Sequence, residues 1–136
     1  MADYLMPWDD DSCSVVDRVL AIVEPKHTML ILAILILDGP MHFGELRRAL
    51  GGISAKMLSS RLHALEEQGL LSRRDEFEGR IRRTRYIPTA SAIAFYEVLC
   101  AMRDWGRRHE GGEGNRPVDD SVAASSRWAA GGGSTG

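Results

Sequence analysis

The sequence predicts a mainly α-helical chain with one small β-hairpin, an α+β class, on three observations. Apolar residues recur at helical spacing in several separate stretches, one segment alternates around a glycine turn, and Gly and Pro punctuate the boundaries between them. The length of 136 residues, with 44% hydrophobic and 26% charged residues, fits a single ordinary globular domain.

Residues 1–12 carry Pro7, Trp8 and a run of three aspartates, and read as an acidic mobile arm. Val15, Val16, Val19, Leu20 and Val23 then recur at helical spacing, which predicts a first helix over 14–23. Pro25 is expected to open a second helix, because the first helical position needs no N–H. That helix runs to about residue 37, is apolar almost all round, and stops at Gly39-Pro40. Phe43, Leu46 and Leu50 mark a short third helix, and Gly51-Gly52-Ile53 a tight turn. Ser54 is a good N-cap for a fourth helix over about 54–68, which Gly69 ends. Residues 70–77 and 80–87 read as strands around a Glu78-Gly79 turn, with Pro88 closing the second. A long last helix is expected over 89–108. Residues 110–136 are Gly-, Ser- and Ala-rich and read as a disordered tail, leaving 13–109 as the folded domain. Two short helices across a Gly turn, followed directly by a hairpin, make a winged helix-turn-helix.

The net charge of −2 hides an asymmetry. Residues 1–41 sum to −5, residues 42–109 to +5, and residues 110–136 to −2. A basic middle between acidic ends can hold phosphates on one face. On the fourth helix, Leu58, Leu62 and Leu65 fall on one side, and Lys56, Ser60, His63 and Glu67 fall opposite, with Ser59 on the flank. Short polar groups with a cation and no bulky apolar residue suit the major groove. Ser54, Lys56, Met57, Ser59, Ser60, Arg61 and His63 are the candidate DNA contacts there. Arg73, Arg74, Arg80, Arg82, Arg83 and Arg85 crowd the hairpin, with Arg80, Arg82 and Arg83 the candidate wing contacts to backbone or minor groove. A solvated helix face and a protected sheet edge are the plain alternatives. The order of turn, capped helix, leucine stripe and Arg hairpin favours a reader of double-stranded DNA.

The last helix carries Ile93, Phe95, Tyr96, Val98, Leu99, Cys100, Met102 and Trp105 around most of its circumference. One small domain cannot cover such a helix, so a homodimer is expected, with Val16, Leu20, Phe95, Val98, Leu99, Met102 and Trp105 at its interface. Two recognition helices about 34 Å apart would read a palindromic operator.

Taken together, these stretches resemble the HxlR family of bacterial winged-helix regulators over about residues 13–109. The resemblance rests on Cys13-Ser14-Val15-Val16, Lys26, Leu37-Asp38-Gly39-Pro40, the run from Phe43 to Leu50, and Gly52 to Ser59. Arg61-Leu62, Leu65-Glu66, Gly69-Leu70, Tyr86, Thr89 and Asp104-Trp105-Gly106 continue it. It implies a homodimer formed through the first and last helices, and repression or activation of neighbouring genes. The chain departs from the family at Glu24-Pro25-Lys26-His27, where Gly-Gly-Lys-Trp is usual, at Ser14 in place of Pro, and at Ile87-Pro88-Thr89-Ala90. The DNA-binding half keeps the pattern.

Cys13 occupies the family's N-terminal cysteine position, which in some members resembles a redox or electrophile switch; an unmodified thiol at a helix start is the alternative. Cys100 reads as a core residue. A small-molecule effector could sit between apolar helices 2 and 5. The four histidines show no metal-ligand spacing with the cysteines, and no phosphate loop or catalytic constellation is present, so no cofactor, metal or enzymatic role is expected. The acidic start is unlike a secretory leader, and the run from Met29 to Leu37 is too short to span a bilayer, so a cytoplasmic protein without membrane association is expected. The rival reading is a winged-helix module that contacts protein and does not bind DNA specifically.

Overall fold

In the computed structural model, which describes residues 8–110, 112 and 117, the order is α1 (Asp10–Val23), α2 (Thr28–Leu37), β1 (Met41–His42), α3 (Phe43–Ala49), α4 (Ala55–Glu67), β2 (Leu71–Glu78), β3 (Ile81–Pro88) and α5 (Ala90–His109). The chain divides into two units. One is residues 19–103, with the helix-turn-helix and the sheet. The other lies within 1–18 and 104–136 and includes the start of α1 and the end of α5. The expected tail over 110–136 and the first residues of the expected arm lie almost wholly outside the described residues.

Helix α1 begins earlier than its apolar spacing suggests. Asp9 Oδ1 accepts a hydrogen bond from the Ser12 amide at 2.8 Å, and Asp10 and Asp11 fill the first turn. Carboxylates beside the free N–H groups of a helix start are stabilising. Residues 10–12, expected in the arm, are therefore helical. The Ser12 hydrogen bonds also hold the Asp9 carboxyl below its ordinary pKa.

Pro25 does not start α2. The Thr28 amide donates to the Pro25 carbonyl at 3.2 Å, closing a turn in which His27 takes φ 75. Histidine is one of the few non-glycine residues that visit this left-handed region with any frequency. Helix α2 thus starts only at Thr28. It buries Thr28, Ile31, Leu32 and Leu35 and leaves Met29, Leu30 and Leu37 exposed, so it is half-buried, not fully enclosed as its composition suggests.

The core joins Ile31, Leu32 and Leu35 of α2 to Leu46, Ile53, Leu58, Leu62, Leu65, Leu70, Leu71, Tyr86 and Ala92. Burying the α4 leucines against this set contributes on the order of 1.5–3 kcal/mol each. The sheet is antiparallel, in the order β1-β3-β2. The two-residue strand β1, absent from the expected elements, pairs Met41 with Tyr86 and His42 with Arg85.

The corner after α4 is a Schellman motif. The Leu70 amide donates to the Leu65 carbonyl at 3.0 Å, and the Gly69 amide to the Glu66 carbonyl at 3.0 Å, with Gly69 at φ 76. Thr89 fastens α5 to this corner. Its amide donates to the Leu70 carbonyl at 3.1 Å, its hydroxyl to the Gly69 carbonyl at 2.7 Å, and its Oγ1 accepts from the Ala92 amide at 3.2 Å.

Helix α5 buries only Ala92. Phe95, Tyr96, Leu99 and Cys100 are half-buried, whereas Ile93, Val98, Met102 and Trp105 are exposed. Cys100, expected as a core residue, is only half-buried. Among the described residues no single helix is long and apolar enough to cross a membrane.

Candidate nucleic-acid interface

Helix α4 begins at Ser54, whose Oγ accepts a hydrogen bond from the Met57 amide at 3.1 Å. The serine is committed to capping, as a residue at this position should be. Replacing it with Ala is expected to cost about 1 kcal/mol. A fall in the denaturant midpoint at unchanged m-value would register this loss, while an unchanged midpoint would show that the cap adds nothing.

The turn before α4 is held from α3, where Arg47 Nε donates to the Ile53 carbonyl at 3.0 Å. Leu58, Leu62 and Leu65 point into the core, at no more than 1% exposure. The opposite face is therefore presented to solvent, and Lys56, Ser59, Ser60 and His63 lie exposed on it. Met57 stands at the margin of that face. His63 Nε2 is 3.0 Å from Glu67 Oε1.

Arg61 is oriented differently from the other candidates. It is half-buried, and its Nε donates to the Lys26 carbonyl at 2.9 Å. This bond braces α4 against the turn between α1 and α2. Helical periodicity alone could not separate this arginine from the exposed face.

The wing shows a one-residue difference from expectation. Glu78 pairs with Ile81, so the loop is Gly79-Arg80, and Arg80 sits at the tip and not in the strand. Gly79 takes φ 64, and His27 alone among described non-glycine residues has positive φ, so only the first loop residue is left-handed. That is the pattern of a type II′ turn, which matches the twist of a hairpin.

Register then fixes the two faces of the wing. One carries Leu71, Arg73, Asp75 and Phe77, with Pro88, Tyr86, Thr84 and Arg82 opposite. Arg73 Nε lies 4.0 Å from Glu66 Oε2 of α4, so this face turns toward α4. Tyr86 is buried beneath it, and burial pushes its phenol above the ordinary value. Asp75 Oδ1 accepts from the Thr84 hydroxyl at 3.0 Å, and Asp75 Oδ2 is 3.8 Å from Arg82 Nη1.

The other face carries Arg74, Glu76 and Glu78, opposite Arg85, Arg83 and Ile81. His42 ties this face to α3: Nδ1 is 2.7 Å from Glu45 Oε1, and Nε2 is 3.1 Å from Glu76 Oε1. The His42 amide also donates to Glu45 Oε1 at 3.0 Å. These His42 bonds, backbone first, hold the Glu45 carboxyl below its ordinary pKa. Arg83 Nη2 lies 4.0 Å from Glu45 Oε1, and Arg85 Nη1 lies 3.7 Å from Glu76 Oε1. Pairs this exposed contribute little stability and yield readily to a phosphate.

Arg74 and Arg85 are direct cross-strand partners. Like charges so placed are destabilising, and a phosphate between them would relieve the repulsion. Lys56, Arg74 and Arg80 have no ion-pair partner among the described residues. Arg48 of α3 joins the surface as well, lining with Arg82 and Arg83 a cleft beside Phe43 and Gly44. The adjacent Arg47-Arg48 pair on so short a helix was the signal for it. Cys13 is exposed in α1.

Residues 22–113 match the sequence profile of the HxlR-like helix-turn-helix family. An uncharacterised HTH-type transcriptional regulator of Halalkalibacterium halodurans is 33% identical over 91 residues, covering 67% of this chain and 80% of that protein. The uncharacterised HTH-type regulator YdzF of Bacillus subtilis is 32% identical, covering 70% and 86% of the two chains. Among solved structures, a transcriptional regulator of the MarR family from Enterococcus faecalis superposes with a TM-score of 0.67 at 27% identity, covering 82% of this chain and 97% of that one. The reduced form of the B. subtilis transcriptional regulator YodB gives 0.64 at 26% identity, covering 79% and 100%.

Proposed function

The chain belongs to the HxlR-like helix-turn-helix family, and from that premise we propose how it reads DNA. It is a DNA-binding transcriptional regulator with a winged helix-turn-helix. In the proposed reading, α4 enters the major groove, with Lys56, Met57, Ser59, Ser60 and His63 at the bases and neighbouring phosphates. Ser54 and Arg61 hold the helix in place. Arg80, Arg82 and Arg83 carry the wing on the backbone or minor groove. The observation that carries this reading is the side-by-side exposure of a leucine-anchored polar helix face and an arginine wing turned toward it.

A homodimer completes the reader. Val98, Met102 and Trp105 of α5 and Val16 and Leu20 of α1 are exposed on the single chain, and Phe95 and Leu99 are half-buried. The exposed apolar residues of α5 support this pairing, since one small domain leaves them uncovered. Two-fold pairing presents two α4 helices to a palindromic operator. The activity is binding alone, with no catalytic step or cofactor, and it takes place in the cytoplasm.

Cys13 is the proposed point of entry for an oxidant or electrophile, on the strength of its exposure at the start of α1. Peroxide treatment followed by mass spectrometry should find Cys13 oxidised; an unmodified thiol rules out the oxidant role.

The reading is tested by selecting duplexes from a random-sequence pool and measuring affinity across a salt series. A specific reader loses affinity with a log–log slope of about −0.9 for each phosphate contacted. Failure to enrich any duplex, with weak and sequence-blind binding, would instead favour a protein-contact module.

A further inference from the structure

The outermost residues of the wing are not only cationic. Phe77 is 68% exposed and Ile81 is 65% exposed, although both belong to a hairpin whose inner end is buried. Nothing in the core or in solvation calls for large apolar side chains at this position. An exposed tip that closed only its own turn would be served by polar residues.

Register gives the two side chains different surroundings. Ile81 shares its face with Glu76, Glu78 and Arg83. Phe77 stands directly opposite Arg82, on the face that runs inward past Asp75 and Thr84 to Arg73 and α4. Phe77 therefore shares the wing face that meets α4 through Arg73, at the end of the wing farthest from the core. Arg80 occupies the adjoining turn and has no ion-pair partner among the described residues.

We propose that Phe77 is an apolar wedge which enters the minor groove beside the site read by α4, with Arg80 and Arg82 held on the flanking phosphates. This rests on the DNA-binding reading above and adds to it a mode of contact and a sequence preference. An aromatic ring flanked by guanidinium groups matches a groove wall of apolar sugars between two lines of phosphate. Apolar wedges of this kind part a base step, and the cost depends on how readily the step unstacks. Pyrimidine–purine steps deform easily, whereas A-tracts are stiff. Phe77 thus selects for a flexible step outside the bases that α4 touches. Of the acidic residues nearby, Asp75 is bonded to Thr84 and lies against Arg82, Glu76 is held by His42, and Glu78 stands on the opposite face of the wing from Phe77, across from Ile81.

The test uses the full-length protein and a duplex it has selected from a random pool. Two versions of that duplex differ only at the wing position, one with a TA step and one with an A-tract. The wild type should favour the TA version by roughly tenfold. Phe77→Ala should lose about tenfold in affinity for the TA duplex and lose the preference, with its salt slope unchanged, because its phosphate contacts are all kept. Phe77→Leu, which keeps an apolar wedge, should retain most of both. Fluorescence of 2-aminopurine at the TA step should rise on binding of the wild type and not of Phe77→Ala. The ring is exposed, so each variant is expected to fold, and coincident thermal melts check this. Equal affinity and equal preference for wild type and Phe77→Ala on a duplex that both bind overturns the wedge alone. A change in self-association or in capture of another protein, with DNA binding untouched, also overturns it and reassigns the tip. If the wild type enriches no duplex, the DNA reading fails, and the wedge fails with it.

Discussion

Lys56→Ala combined with Arg82→Ala is expected to weaken binding to the selected duplex by about a hundredfold at moderate salt. The two residues belong to different elements, one on the first turn of α4 and one on β3. Lys56 has no ion-pair partner among the described residues, so its full charge is available to DNA. Arg82 is held only weakly, at 3.8 Å from Asp75 in an exposed pair, and gives little up on moving to a phosphate. For every phosphate that the variant no longer neutralises, the salt slope should also fall by about one. Competition titration at two salt concentrations separates the components. Weaker binding with an unchanged slope would assign Lys56 and Arg82 to bases and not to phosphates. Unchanged affinity would show that α4 and the wing do not form the DNA-binding surface. Both side chains are exposed, so a folding defect is not expected.

Val98→Glu together with Met102→Glu is expected to convert a dimer into a monomer. Both residues are exposed on α5 in the single chain, so the substitutions should leave the monomer's own core intact. In a dimer they would place carboxylates in an apolar interface, where an unpaired charge is strongly disfavoured. Sedimentation should report half the mass. Affinity for a palindromic duplex should fall by roughly 10²- to 10⁴-fold, because each half-site then binds without the other's effective concentration. A variant that keeps its mass and its affinity would remove α5 from the interface.

Much of this arrangement was legible in the residues because its signals are local. Ser54 before an apolar stripe, Gly69 after it, and Gly79 between alternating segments each impose a backbone conformation that sequence displays directly. The less legible features depend on what lies across space. Strand β1 is two residues long, too short to show alternation, and exists because β3 offers it an edge. The start of α1 is set by Asp9 and its acidic neighbours, which composition presents simply as an acidic arm. Pro25 has the residue type of a helix start, but the left-handed His27 displaces that start to Thr28. Arg61 looks like a base-reading residue on a helical projection, and only the position of the Lys26 carbonyl makes it a brace. Alternation likewise allots Phe77 to a strand but cannot say that the tip is left uncovered.

The corner held by Thr89 has a further consequence, for the order in which the protein assembles. One hydroxyl serves both the carbonyl of Gly69, just past the end of α4, and the amide of Ala92, in the first turn of α5. The Thr89 oxygen caps the first turn of α5 and its proton closes onto the Schellman corner, so neither element gains its full set of bonds alone. Helices α4 and α5 are in this way joined through a single side chain. Loss of the hydroxyl would therefore loosen the end of α4 and the start of α5 together.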